Sequence, residues 1–307
     1  MTYRAPIGFA ITMATTLGLA AEAPAGDSGG LTFEGYIELE YLNGATDDTF
    51  LVGEVWARYM SPSGLGFDAG LVGFTDFDDS EHALYAALTY SFGGSKVSVG
   101  VPRPAYDTFS KFPAVGGMRI LELELGTLNH GYAELVYLLG DVDPPLGIRY
   151  DGEFGALRVA ASAHHFDEAT DADAFALALR YDVTSNVALL ADWERILPDG
   201  NPAITTTRAG TELSFSSWES GLAYFNRNTG TGPHIDGTET WVTYMPTSQI
   251  SVTATALNTN VFDILGLSLR YERMMGDSEV AKVYGQIGVA DGRSFDTTYD
   301  LSVGLQF

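Results

Sequence analysis

The chain has 307 residues, 40 of them acidic against 16 Lys and Arg, for a formal net charge of −24. So acidic a chain lacks the basic footprint a polyphosphate partner needs, which argues against nucleic acid. The absence of Cys excludes disulfides, thiolate metal sites and cysteine nucleophiles.

A disordered acidic chain would be poor in aromatics, whereas this one is 12% aromatic and 46% hydrophobic. Its mean hydropathy is +0.05, so the sequence is acidic without being hydrophilic. Gly is abundant at 35 residues, which suits sheets joined by many turns.

Residues 1–25 carry one basic residue, Arg4, then an apolar stretch from Ile7 to Ala21, with the small residues Ala23 and Ala25 preceding Gly26. This is the layout of a secretory signal peptide, leaving 26–307 as a single β domain. No later run of about 18 apolar residues offers a transmembrane helix.

Beyond residue 30 the pattern is period-2 alternation, the signature of strands. In LTFEGYIELEYLN, Leu31, Phe33, Ile37, Leu39 and Tyr41 share one face, and Thr32, Glu34, Tyr36, Glu38 and Glu40 the other. Comparable runs begin at Phe50, Leu65, His82, Ala156, Asp173, Val187, Ile204, Ile250, Asp263 and Val280, and the chain closes with DTTYDLSVGLQF. Weaker strands are expected near Val97, Leu146, Trp218 and Gly237. Most runs are about 10 residues long, the length of a tilted transmembrane strand, where strands of soluble proteins centre on about 5 to 6. Short connections such as SPSG (61–64), GGSK (93–96) and TSN (184–186) are interleaved with longer acidic ones such as TDFDDSEH and FDEATDAD. This predicts an all-β, transmembrane antiparallel barrel of sixteen strands, with fourteen or eighteen as alternatives.

Three features resemble the bacterial general porins, most closely the acidic alphaproteobacterial type. YDLSVGLQF ends on Phe307 with Leu305, Val303, Leu301 and Tyr299 on its face, like the closing strand of outer-membrane barrels. MSPSGLGFDAGL from Met60 resembles the first turn and third strand of the family. The connection from Pro102 to Pro144 is far longer than the others, where porins carry a third loop folded into the lumen. Within it RILELEL and AELVYLL alternate well enough to form an extra strand pair, which would give eighteen strands. The resemblance implies an outer-membrane, multi-pass barrel, homotrimeric in the lipid bilayer, passing small hydrophilic solutes and ions by passive diffusion.

A barrel of that size encloses water, and parity turns the polar member of each pair inward. Arg58, Arg149, Arg158, Arg180, Arg208, Arg270 and Lys282 then line the wall. Asp107, Glu122, Glu124 and Glu134 are the acidic candidates on the long connection, so that a basic wall would face an acidic loop across the constriction, as in the porin eyelet. Aromatic girdles are expected at Tyr59, Tyr90, Phe92, Tyr181, Phe215, Trp218, Tyr271 and Phe307 on one rim, with Tyr41, Trp193 and Tyr224 toward the other. The outward small residues Ala161, Ala163, Ala254 and Ala256 are candidates for subunit packing.

The remaining outer connections hold many acids, including Asp47, Asp48, Asp76, Asp78, Asp79, Asp167, Asp171, Asp199 and Asp236, against Arg227 and Arg293. A negative vestibule concentrates cations, so cation preference is expected. Asp76, Asp78, Asp79 and Glu81 offer oxygens suited to Ca²⁺ without the EF-hand spacing, and a solvated acidic loop is the ordinary reading of such a cluster. The motifs HExxH and the P-loop are absent, and His82, His130, His164, His165 and His234 are scattered. No cofactor or catalysis is expected. A barrel hydrolase, suggested by Glu38 and Glu40, and a non-conducting adhesin or structural barrel are the alternatives.

Overall fold

The computed structural model describes residues 30–44, 47–124, 130–140, 142–167, 171–232, 234–275, 281–293 and 295–307. Of Glu122, Glu124 and Phe295 it describes the backbone only. The proposed leader, 1–25, lies outside the described residues.

Sixteen strands form one closed antiparallel sheet. They are β1 (Leu31–Asn43), β2 (Asp48–Met60), β3 (Leu65–Thr75), β4 (Ser80–Phe92), β5 (Ser95–Val101), β6 (Leu146–Phe154), β7 (Leu157–Phe166) and β8 (Ala172–Thr184). The second half comprises β9 (Val187–Pro198), β10 (Ile204–Phe215), β11 (Trp218–Asn228), β12 (His234–Thr247), β13 (Ile250–Thr259), β14 (Asp263–Met274), β15 (Lys282–Arg293) and β16 (Phe295–Gln306). Each strand pairs with its chain neighbours, and β1 closes on β16 from Tyr36↔Gln306 to Asn43↔Tyr299. The seam is finished by reciprocal backbone bonds, Gly35 N–H to Phe307 O at 2.8 Å and Phe307 N–H to Gly35 O at 3.0 Å. Closure leaves no unpaired strand edge, the condition for a sheet to span hydrocarbon.

Alternation sets the two faces. Leu88 at 75% exposure, Leu265 at 67% and Leu146 at 65% point outward, and Leu39, Tyr41, Ile148, Leu189, Leu267, Leu301 and Val303 join them in an apolar outer wall. Ring pairs thicken the rim that carries the short turns: Tyr59 with Phe67, Tyr90 with Phe92, and Trp218 with Tyr244. The tight turn between β4 and β5 is made by Gly93 and Gly94, both at positive φ (53° and 81°), the geometry a two-residue hairpin needs.

Two sequence expectations change. The connections opposite the short turns are mostly brief, because strands of up to 14 residues absorb the acidic stretches into their ends; Ser80, Glu81 and His82, for instance, belong to β4. The described part of RILELEL (119–124) and the segment AELVYLL are helical and add no strands to the barrel. They contain helices α1 (Arg119–Glu124) and α2 (Tyr132–Leu139), preceded by a single 3₁₀ turn at Val115–Gly117. Each fragment also spaces apolar residues at helical intervals, and packing, rather than alternation, chose between the two periods.

The connection 102–145 packs against inward-facing wall residues in three apolar clusters. Val115, Met118, Ile120 and Leu121 join Leu42, Phe50, Val52, Phe225, Leu257, Ile264 and Ala290. Ala133, Tyr137 and Leu138 join Trp56, Ala83, Tyr85, Phe166, Ala172, Ala174 and Ile196. Ala105 and Tyr106 meet Ala160, Ala176 and Ala178, three small residues that leave room for the connection's backbone. Met118, Ile120 and Leu121 are at most 1% exposed, and burying a side chain of this size contributes about 1.5–3 kcal/mol.

Candidate functional site

Polar bonds complete the attachment. Ala105 N–H donates to Ser162 Oγ of β7 at 2.9 Å, Lys111 N–H to Glu212 Oε1 of β10 at 2.9 Å, and Gly116 N–H to Thr255 Oγ1 of β13 at 3.1 Å. Gln286 of β15 donates to Gly117 O at 3.0 Å, and Tyr137 Oη donates to Leu84 O of β4 at 2.6 Å. The partners therefore lie on strands right round the barrel. Gly116 (φ 63°) comes so close to β14 and β15 that a Cβ at Gly266 would fall on its backbone nitrogen and one at Gly288 on its carbonyl oxygen. Only hydrogen fits there.

Helix α2 receives its cap from the wall. Gly131 precedes it and has no side chain to offer, and Glu194 of β9 accepts Tyr132 N–H at 2.6 Å and Ala133 N–H at 3.3 Å instead. A carboxylate there satisfies two orphan donors and faces the positive end of the helix dipole.

Between the connection and strands β1–β6 and β13–β15 lies a cavity of about 630 Å³. Its charged lining includes Arg58, Lys96, Arg103, Arg119, Arg149 and Arg270 with Glu54, Asp68, Asp107 and Glu134. Nearly all of these cations are paired: Arg58 with Glu34 at 2.5 Å, Lys96 with Asp68 at 2.8 Å, Arg119 with Glu38 at 3.0 Å, and Arg149 with Asp151 at 2.6 Å. Arg103 spans Glu54 at 2.7 Å and Glu134 at 2.9 Å. Arg270 stacks on Tyr284 at 3.6 Å from its ring centre and lies 3.6 Å from Glu272, while Tyr284 Oη donates to Glu38 at 2.5 Å. Lys282 pairs with the same Glu272 at 2.8 Å.

Of the wall arginines read from parity, four touch the long connection. Arg149 donates to the carbonyls of Arg103 (3.1 Å) and Pro104 (3.3 Å) and to Thr108 Oγ1 (3.1 Å). Arg180 bonds Phe109 O at 3.4 Å and pairs with Glu212 and Asp182. Arg158 lies over Phe109, and Arg208 over Tyr106 and Phe112 while paired with Asp192 at 2.8 Å. Arg158, Arg180 and Arg208 lie behind the connection, away from the lining of the cavity. Arg58 and Arg270 line the cavity and pair with the wall's own acids.

The expected division into a basic wall and an acidic loop is not what the structure has. Arg103 and Arg119 belong to the connection, and the acids facing them, Glu54 and Glu38, belong to the wall. Alternation had put Glu38 on the polar face, but nothing local in the sequence marks an arginine of a long connection as a wall ligand. The acidic candidates Asp107 and Glu134 do come together, joined by His130, with one donor atom of each within 4.8 Å of the others. Burial, and next the neighbouring Glu134, push the Asp107 carboxyl well above its ordinary range. The side chains of Glu122 and Glu124 lie outside the described residues. Asp76, Asp78, Asp79 and Glu81 form no three-donor group among the described residues. Asp76 instead spends its Oδ1 on the N–H groups of Asp78 (3.0 Å) and Asp79 (2.6 Å), closing the turn.

No family model and no curated protein matches the chain. Among solved structures, two engineered variants of Rhodopseudomonas blastica porin superpose with a TM-score of 0.65 at 18% identity, covering 90% of this chain and 100% of theirs. A triple mutant of the same porin gives 0.59 at 16%, with the same coverage. A further match at 0.62 and 18% is described as "Asymmetric conductivity of engineered proteins". At these identities the likeness is one of fold: the chain has the sixteen-stranded barrel of the porins.

Proposed function

We propose that this protein is an outer-membrane porin, a water-filled channel through which small hydrophilic solutes and ions diffuse passively, narrowed by the connection 102–145 lying in its lumen. The observation that carries this reading is the coexistence of a closed barrel, apolar outside, with an inner face of ion-paired charge around a cavity of about 630 Å³. Close ion pairs such as Arg103–Glu54 and Arg119–Glu38 make the lining polar and locally dipolar, a surface suited to hydrophilic solutes.

Cation preference belongs to the same proposal. The cations of the cavity are largely neutralised by their own partners, so the sign of selectivity falls to the excess acids of the rim and of the chain as a whole, at −24. The assembly we propose is a homotrimer, as in porins.

The test is single-channel recording on the refolded protein in a planar bilayer. Stepwise conductance with a cation-selective reversal potential in a salt gradient supports the proposal. Anion selectivity removes the preference, and a silent bilayer removes the channel. The apolar packing of α1 and α2 against the wall favours a second reading, a barrel plugged by its long connection, for which silence is the expected result.

A further inference from the structure

We propose that Asp107, His130 and Glu134 form a binding site for a first-row transition-metal cation of the Zn²⁺ type on the connection that borders the cavity. One nitrogen and two carboxylate oxygens stand within 4.8 Å of one another, and all three residues line the cavity. Donor atoms of a tetrahedral zinc site, at about 2.0–2.1 Å from the metal, lie about 3.3 Å apart, so side-chain rotation closes the set. Three protein donors leave the fourth position to water, and an imidazole with two carboxylates suits zinc better than calcium.

The independent observation is an unmet need for positive charge. Asp107 Oδ2 is shielded from solvent and accepts no hydrogen bond, and Glu134 Oε1 accepts none beyond its ion pair with Arg103. The Glu134 side chain is 3% exposed, so its charge cannot be met by bulk water. Arg103 does not exhaust it, because a carboxylate has about four lone-pair sites and Arg103 is shared with Glu54. The cations near the two carboxylates are shared, Arg103 with Glu54 and Arg208 with Asp192, so a divalent cation would supply positive charge that Asp107 and Glu134 do not have to themselves.

The site shares its lining with the channel proposed above, but its test does not depend on conduction. The untagged full chain, folded in detergent, is titrated calorimetrically with Zn²⁺ alone, then with Co²⁺ while the visible spectrum is followed. We expect one ion per chain, a Co²⁺ band of low-coordinate character, and at least a tenfold loss of affinity in both His130→Gln and Asp107→Asn. Sheet circular dichroism confirms that each variant is folded, and Glu134→Gln replaces any variant that is not. Absence of Zn²⁺ binding, binding undiminished in folded His130→Gln, or Ca²⁺ binding as tightly as Zn²⁺ would each overturn the proposal.

Discussion

Glu194 of β9 and Tyr132, the first residue of α2, are joined by a carboxylate-to-amide bond of 2.6 Å, so the wall supplies the cap that the helix lacks. Replacing Glu194 with Ala leaves two amide donors without a partner in a buried position, at about 1–3 kcal/mol. Limited proteolysis within 102–145, followed by mass spectrometry, should be faster in this variant while the barrel stays intact. Unchanged cleavage would mean that the apolar clusters alone hold the helix.

Glycine at 266 is a second attachment point. A Leu there would collide with the backbone of Gly116, which cannot give way without moving the 3₁₀ turn. We expect Gly266→Leu to fold as a barrel with the connection displaced, and the displacement to appear as altered conductance and new protease sites near 115. A variant indistinguishable from the parent in both would contradict the close packing.

The ion pair Arg208–Asp192 is fully enclosed, with side chains 0% and 1% exposed. Removing one partner of a buried pair leaves the other charge less well compensated, at up to about 3–5 kcal/mol. Asp192→Ala should therefore lower the denaturant midpoint of the barrel well below that of the double replacement Asp192→Leu with Arg208→Met. Equal midpoints would show that the pair contributes no more than its volume.

Acidity should alter ion choice through Asp107. It faces Glu134 of α2, Arg103 and His130 of the same connection, and Arg208 and Asp192 of the wall, and burial, with Glu134 next, pushes its carboxyl well above the ordinary range. Protonation removes negative charge from the cavity lining as pH falls through that raised value. Cation preference, read as reversal potential, should thus decline on acidification at a higher pH than a free aspartate would give, and less so in Asp107→Asn. A profile identical in that variant would assign the titration elsewhere.

Alternation along single strands made the barrel legible. Leu39 and Tyr41 against Glu38 and Glu40 needs only the period-2 geometry of an extended chain, which assigns each residue to lipid or lumen without reference to any other strand. The same parity placed Arg58, Arg149 and Arg270 on the cavity lining. Residues 102–145 carry no such local rule. Whether RILELEL becomes a strand or α1 depends on Leu42, Phe50 and Ile264, which the chain supplies from both ends of the sequence.

The sequence by itself determined which residues share a side of the sheet, because that is a property of the extended backbone. Only the tertiary structure decided which charges meet. Arg103 finds Glu54 and Arg119 finds Glu38 because apolar contacts, at about 25 cal/mol per Å² of surface buried, first press the connection onto the wall. Electrostatic partners are then chosen among the groups that this packing brings within reach.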